Sequence, residues 1–167
     1  GMEVTITGRN QSKLKTAARE IGVSYASNAE AVKTADVVVL SVAPDVFESV
    51  VKEIAPHINK KQIIVDITSV KTAPVAIMHR YIKVGTILGT HPVFGPGAKS
   101  LAKQNFVLTP TDDTETKLAE KVKNYLEQRK ANVAVMSPKE HDETMTVVLG
   151  LAHFIAIVAA DTLLSFD

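Results

Sequence analysis

The sequence predicts an α/β fold: a doubly wound, mostly parallel sheet with helices on both faces. Three observations carry that expectation. Runs such as Val37-Val38-Val39-Leu40-Ser41-Val42 and Gln62 to Ile67 are apolar and rich in β-branched residues, the mark of strands covered on both sides. Segments of helical period alternate with them through short connections, and such alternation joins parallel strands by right-handed crossovers. The composition is that of a globular domain, with 46% hydrophobic and 22% charged residues in 167.

The elements follow in order. Val4 to Thr7 reads as a short strand ended by Gly8-Arg9-Asn10. Ser12 is placed to cap a helix from Lys13 to Ile21, closed by Gly22. Val23 to Tyr25 is a weak strand, and Asn28 caps a short helix from Ala29 to Ala35. After the strand 37–42, Pro44 and Asp45 start a helix that runs to Ile58. The strand 62–67 precedes a helix from Thr72 to Tyr81. Thr86 to Thr90, Asn105 to Thr109 and Asn132 to Met136 are further strands, the last two separated by an amphipathic helix from Thr114 to Arg129. Beyond Ser137-Pro138 the pattern changes to one long apolar helix.

Composition excludes several chemistries. Nineteen Lys and Arg against eighteen Asp and Glu leave a net charge of +1, with no broad basic footprint for nucleic acid. Cysteine is absent, which removes disulfides, Cys-ligated zinc, iron–sulfur clusters and thiol catalysis. No metal set is expected, because His141 and His153 lack the spacing of a zinc pair. Glu3 and Arg9 interrupt any apolar leader core. Val147 to Ala160, about 14 residues, falls short of the roughly 20 that span a bilayer, so a buried or inter-subunit helix is expected.

Five places could carry chemistry. Gly8-Arg9-Asn10 ends the opening strand, where a nucleotide fold meets the adenosine ribose; Arg there suits the 2′-phosphate of NADP, and otherwise Arg9 is a solvated turn residue. Ser41-Val42-Ala43-Pro44 stands at the carboxyl end of a buried strand, the edge at which open α/β sheets bind ligands, or is simply a turn into a helix. Asp66-Ile67-Thr68-Ser69-Val70-Lys71 ends the next strand: Ser69 could donate to a neighbouring group and Lys71 bring charge to a cofactor or acidic substrate, or Asp66 or Thr68 could cap the following helix. His91 enters a loop stiffened by Pro92 and Pro96, and a neutral imidazole so held can take a proton near pH 7. On the last helix, a regular turn of about 100° per residue puts Asp142 and His153 on one face, either in a site or across a subunit contact.

These segments together resemble the prephenate dehydrogenase family, members of the 6-phosphogluconate-dehydrogenase-like oxidoreductases. The likeness lies in Thr7-Gly8-Arg9-Asn10, Ser41-Val42-Ala43-Pro44, Asp66 to Lys71, Gly89 to Pro96, His141 to Met145 and Gly150 to Phe154, in the family's order. It implies a Rossmann-like domain over 2–136 and, over 137–167, the first helix of a helical dimerisation and substrate domain. It implies oxidative decarboxylation of prephenate or arogenate with NADP rather than NAD, in a cytoplasmic homodimer joined through the terminal helix. His91 would take the proton of the substrate hydroxyl, Ser69 would orient His91 and touch the nicotinamide side, and His153 would line the substrate pocket. The sequence has no G-x-G-x-x-G and opens where the second strand of such a fold would open. The expectation is therefore a member lacking the first strand and glycine-rich loop and cut short in the helical domain, which binds NADP weakly and turns over slowly if at all. The sheet gap so left should close by pairing of the flanking strands or be filled by another chain. Two other readings remain: a related NADP-dependent reductase acting on another small acid, and a non-catalytic dimerising module that keeps the fold.

Overall fold

The computed structural model describes residues 2–95 and 97–165. Pro96, the second proline of the loop after His91, lies outside the described residues, as do Phe166 and Asp167 at the end of the expected helix. The chain runs β1 (Thr5–Ile6), α1 (Gln11–Ile21), β2 (Ser24–Tyr25), α2 (Asn28–Thr34), β3 (Val37–Leu40), α3 (Pro44–Ile54) and β4 (Ile63–Asp66). It continues through α4 (Thr72–Tyr81), β5 (Thr86–Pro92), β6 (Asn105–Thr109), α5 (Asp113–Glu127), β7 (Asn132–Val135) and α6 (Pro138–Met145). A wide π-helical turn, Thr146–Leu151, leads into α7 (Ala152–Leu164).

Local chemistry sets the helix ends. The Asn10 side chain accepts the Lys13 N–H and so caps α1 in place of the expected Ser12, while Gly22 closes it at φ 72°. Ser27, not Asn28, caps α2 in a reciprocal box with Glu30, and Ser137 with Glu140 does the same for α6.

Five strands form one sheet in the order β3-β4-β5-β6-β7, parallel except for β5–β6. That pair is antiparallel, as fits a connection with no crossover helix among its described residues. The core is an apolar layer of Phe47, Val51 and Ile54 from α3 and Val75 and Met78 from α4, packed on Ile64 and Ile87. Gly89 lets α4 approach the sheet: a Cβ there would meet Thr109 Oγ1 and lie 2.6 Å from Val75 Cγ2.

Three expectations need correction. β1 and β2 pair with each other as a separate two-stranded sheet, so the strands flanking the expected gap do not join, and Val37 and Val39 of β3 stay about half exposed. His91 does not sit in a loop: β5 continues through Pro92, and the ladder pairs His91 with Val107. The terminal helix is not buried within this chain. The helical run Pro138–Leu164 has 27 residues and a most apolar window of mean hydropathy 2.2, none of it buried, and by length and composition it could cross a membrane.

Candidate active site

The register brings three candidate segments to one line. Leu40 of β3 faces Asp66 of β4, and Asp66 faces Gly89 of β5. Ser41–Pro44 and Ile67–Lys71 therefore leave the sheet at the same carboxyl edge, where ligands of open α/β sheets bind, and Thr90 and His91 continue β5 just past that line, paired with β6. Ser41, Ala43, Pro44 and Ser69 are exposed there and Val42 is half-buried. Gly8, Arg9 and Asn10 are also exposed but follow β1 in the other sheet.

Beneath that edge lies a buried polar cluster. Lys71 is fully enclosed, and its ammonium is bound by Asp66 Oδ1 and by the Thr90 carbonyl, the latter at 2.6 Å. Burial lowers the Lys71 pKa against the pull of Asp66. The Thr68 amide donates to Asp66 Oδ1 at 3.0 Å, and Thr90 Oγ1 donates to the Asp66 carbonyl at 2.8 Å. The expectation that Lys71 reaches substrate is thus corrected. Its charge is spent inside the protein, because an unpaired carboxylate under the sheet edge would cost several kcal/mol (about 3–5). Asp66 and Thr68 do not cap α4 either. That role falls to Asp142, 70 residues further on, which accepts the Lys71 amide at 2.7 Å and the Thr72 amide at 2.9 Å.

His91 is 6% exposed. Its Nδ1 lies 2.9 Å from His141 Nε2, the rings edge to face, and His141 Nδ1 lies 2.8 Å from Asp142 Oδ1. Burial pushes the His91 pKa down to about 4, with His141 and Lys71 adding to the effect, so the ring is neutral at pH 7. Burial alone would raise the Asp142 pKa; the hydrogen bonds from Thr72, His141 and Lys71 outweigh it and bring it down to about 2. The group that holds His91 is His141, not Ser69 as expected from the sequence.

His153 stands apart from this cluster, exposed on α7. The shared face expected for Asp142 and His153 does not form, because the π-helical turn between them adds roughly one residue, about 100° of rotation. His141, buried at 0% exposure, was visible in the sequence only as one polar residue of the last helix; the adjacent Asp142 was its one signal. No group of three or more His, Cys, Asp and Glu placed to hold a metal occurs among the described residues.

An open, mostly parallel sheet with exposed polar segments at its carboxyl edge is the framework of nucleotide-binding α/β domains. The comparisons with known proteins narrow that class. The family model "Prephenate dehydrogenase, nucleotide-binding domain" matches residues 1–135, and the chain belongs to the prephenate dehydrogenase family. It is 40% identical over 166 residues to the "Probable arogenate/prephenate dehydrogenase" of Methanocaldococcus jannaschii, covering 98% of this chain and 37% of that protein. It is 32% identical over 123 residues to the T-protein of Haemophilus influenzae, covering 72% of this chain and 31% of that protein. The crystal structure of prephenate dehydrogenase from Aquifex aeolicus superposes with a TM-score of 0.82 at 24% identity, over 99% of this chain and 63% of that one. The chain thus spans a little over a third of its archaeal relative.

Proposed function

We propose that this chain carries the catalytic base and part of the cofactor site of an NADP-dependent dehydrogenase that oxidatively decarboxylates prephenate or arogenate. The single observation that carries the reading is the buried, neutral His91 at the carboxyl edge of the sheet, the edge that also bears the exposed Ser41, Ala43, Pro44 and Ser69. The names of the relatives support the substrate class. A structure of the Aquifex aeolicus enzyme was solved with hydroxyphenyl propionate and NAD+, which supports a dinucleotide and a para-hydroxyphenyl acid at this fold.

The rim residues fit the two ends of a dinucleotide. Arg9 offers an exposed guanidinium to a ribose 2′-phosphate, next to Gly8, which adds no side chain there. Asn10 can contribute only its amide NH2, since its oxygen is committed to capping α1. Ser41, Val42, Ala43, Pro44 and Ser69 would hold the nicotinamide side. A nicotinamide held there would supply the hydride acceptor. His91 takes the hydroxyl proton as the carbinol carbon is oxidised. The carboxylate then leaves as CO2, its bonding electrons enter the ring, and the ring becomes aromatic. The protein's task is mainly to align these groups. His153 would reach substrate from the terminal helix once further protein covers that helix, as in a homodimer. That covering, rather than a bilayer, is the proposed fate of α7, in a cytoplasmic enzyme.

The test is NADPH absorbance with prephenate or arogenate in the full-length protein. His91→Asn should lower kcat by about 10^2- to 10^4-fold, the range of general-base loss. Unchanged turnover in that variant would overturn the assignment.

A further inference from the structure

The three linked side chains leave little freedom in where the protons sit. Asp142 is ionised and accepts only, and its two oxygens already take the Lys71 and Thr72 amides. His141 Nδ1, 2.8 Å away, must therefore carry the hydrogen of that bond. The His141 tautomer that donates from Nδ1 has a bare Nε2, which can only accept. At 2.9 Å, His91 Nδ1 must be the donor, since two lone pairs facing each other at that distance would repel. His91 Nε2 is left bare. It has no hydrogen-bond partner among the described residues, and it is not one of the two fully enclosed polar atoms lacking one.

We propose that Asp142 and His141 are positioning residues that fix His91 in its Nδ1–H tautomer and keep Nε2 free to take the proton of the substrate hydroxyl. This rests on the reading of His91 as the base. When the hydroxyl proton arrives at Nε2, Nδ1–H still donates to His141, and the positive charge on His91 is answered by the Asp142 carboxylate one ring away. The charged and titratable groups facing His91 are His141 and Asp142 from α6 and Lys71 from the start of α4. Lys71 opposes protonation and Asp142 favours it, so the tautomer and the ease of protonation both depend on Asp142. The same carboxylate holds the amino end of α4, which couples the orientation of the base to the packing of the sheet.

The decisive variant is Asp142→Asn in the full-length protein. Its side-chain oxygen can still accept an α4 amide, but its NH2 can donate to His141 Nδ1, which reverses every hydrogen in the chain and blocks His91 Nε2. The expected result is a loss of roughly 10^2- to 10^4-fold in kcat with KM little changed, up to the loss in triads whose orienting carboxylate is replaced, and a lower melting temperature because the Lys71 amide loses its acceptor. His141→Gln, which places an oxygen near the position of Nε2, should retain far more activity than His141→Leu. Nitrogen-15 NMR of the unaltered protein should report His91 protonated at Nδ1, and in Asp142→Asn at Nε2. An Nε2–H tautomer in the unaltered protein, or an Asp142→Asn enzyme with wild-type kcat and pH profile, would overturn the proposal. The NMR reading needs no turnover, so it tests the relay even if prephenate and arogenate prove not to be substrates.

Discussion

The two halves of the candidate site are built differently. On the β4–β5 side, Asp66, Lys71, His91 and His141 are all buried, and each is held by at least one partner inside the chain. On the β1–β3 side, Gly8, Arg9, Asn10, Ser41, Ala43 and Pro44 are exposed, and the two strands belong to separate sheets. The buried half finds its partners among residues of this chain; the other half is an exposed rim. Proton chemistry needs fixed tautomers in a dry setting, and only packing supplies that. A rim can take its shape when a ligand arrives.

Mutation can break this contrast. The largest effect is expected at Lys71. Lys71→Met leaves Asp66 charged and unpaired under the sheet edge and should destabilise by about 3–5 kcal/mol in urea unfolding. A smaller loss, about 1–3 kcal/mol, is expected for Gly89→Ala, whose Cβ would press on Thr109 and Val75. The next effect is a pH dependence. The folded His91 value of about 4 lies below its ordinary 6.5, so the unfolded chain binds more protons between them. Stability from this ring is full above the ordinary value and is lost as pH falls through 6.5 toward about 4. The slope is roughly 1 kcal/mol per pH unit at most, and it should flatten in His91→Gln when unfolding midpoints are compared. On the rim, Arg9→Ala should change stability by less than about 0.5 kcal/mol while lowering the preference for NADP over NAD in binding titrations. A destabilised Arg9→Ala protein or an unaffected Lys71→Met protein would erase the distinction between the halves.

Much of this was legible before any coordinates. The β-branched runs mark β3 and β4, and Thr72–Tyr81 and Asn105–Thr109 are helix and strand as read. The direction of β6 was not legible, because periodicity carries no sign; the helix-free link from 93 to 104 was the only cue. His91 stood out through its rigid surroundings, although a strand ladder rather than two prolines does the holding. His141 went unassigned and Lys71 was misjudged for one reason. Sequence shows which groups can ionise, whereas burial decides what they do, and burial here depends on contacts some 50 to 70 residues apart. The offset of His153 from Asp142 came from a π-helical turn with no sequence mark beyond Gly150.

That joint has a mechanical corollary. Asp142 bolts the start of the terminal helical run to α4, and His141 pins it to β5, while the residues past the widened turn touch little else. The imidazole pair is therefore fixed by contacts made before the widened turn at 146–151, whatever comes to cover the residues beyond it.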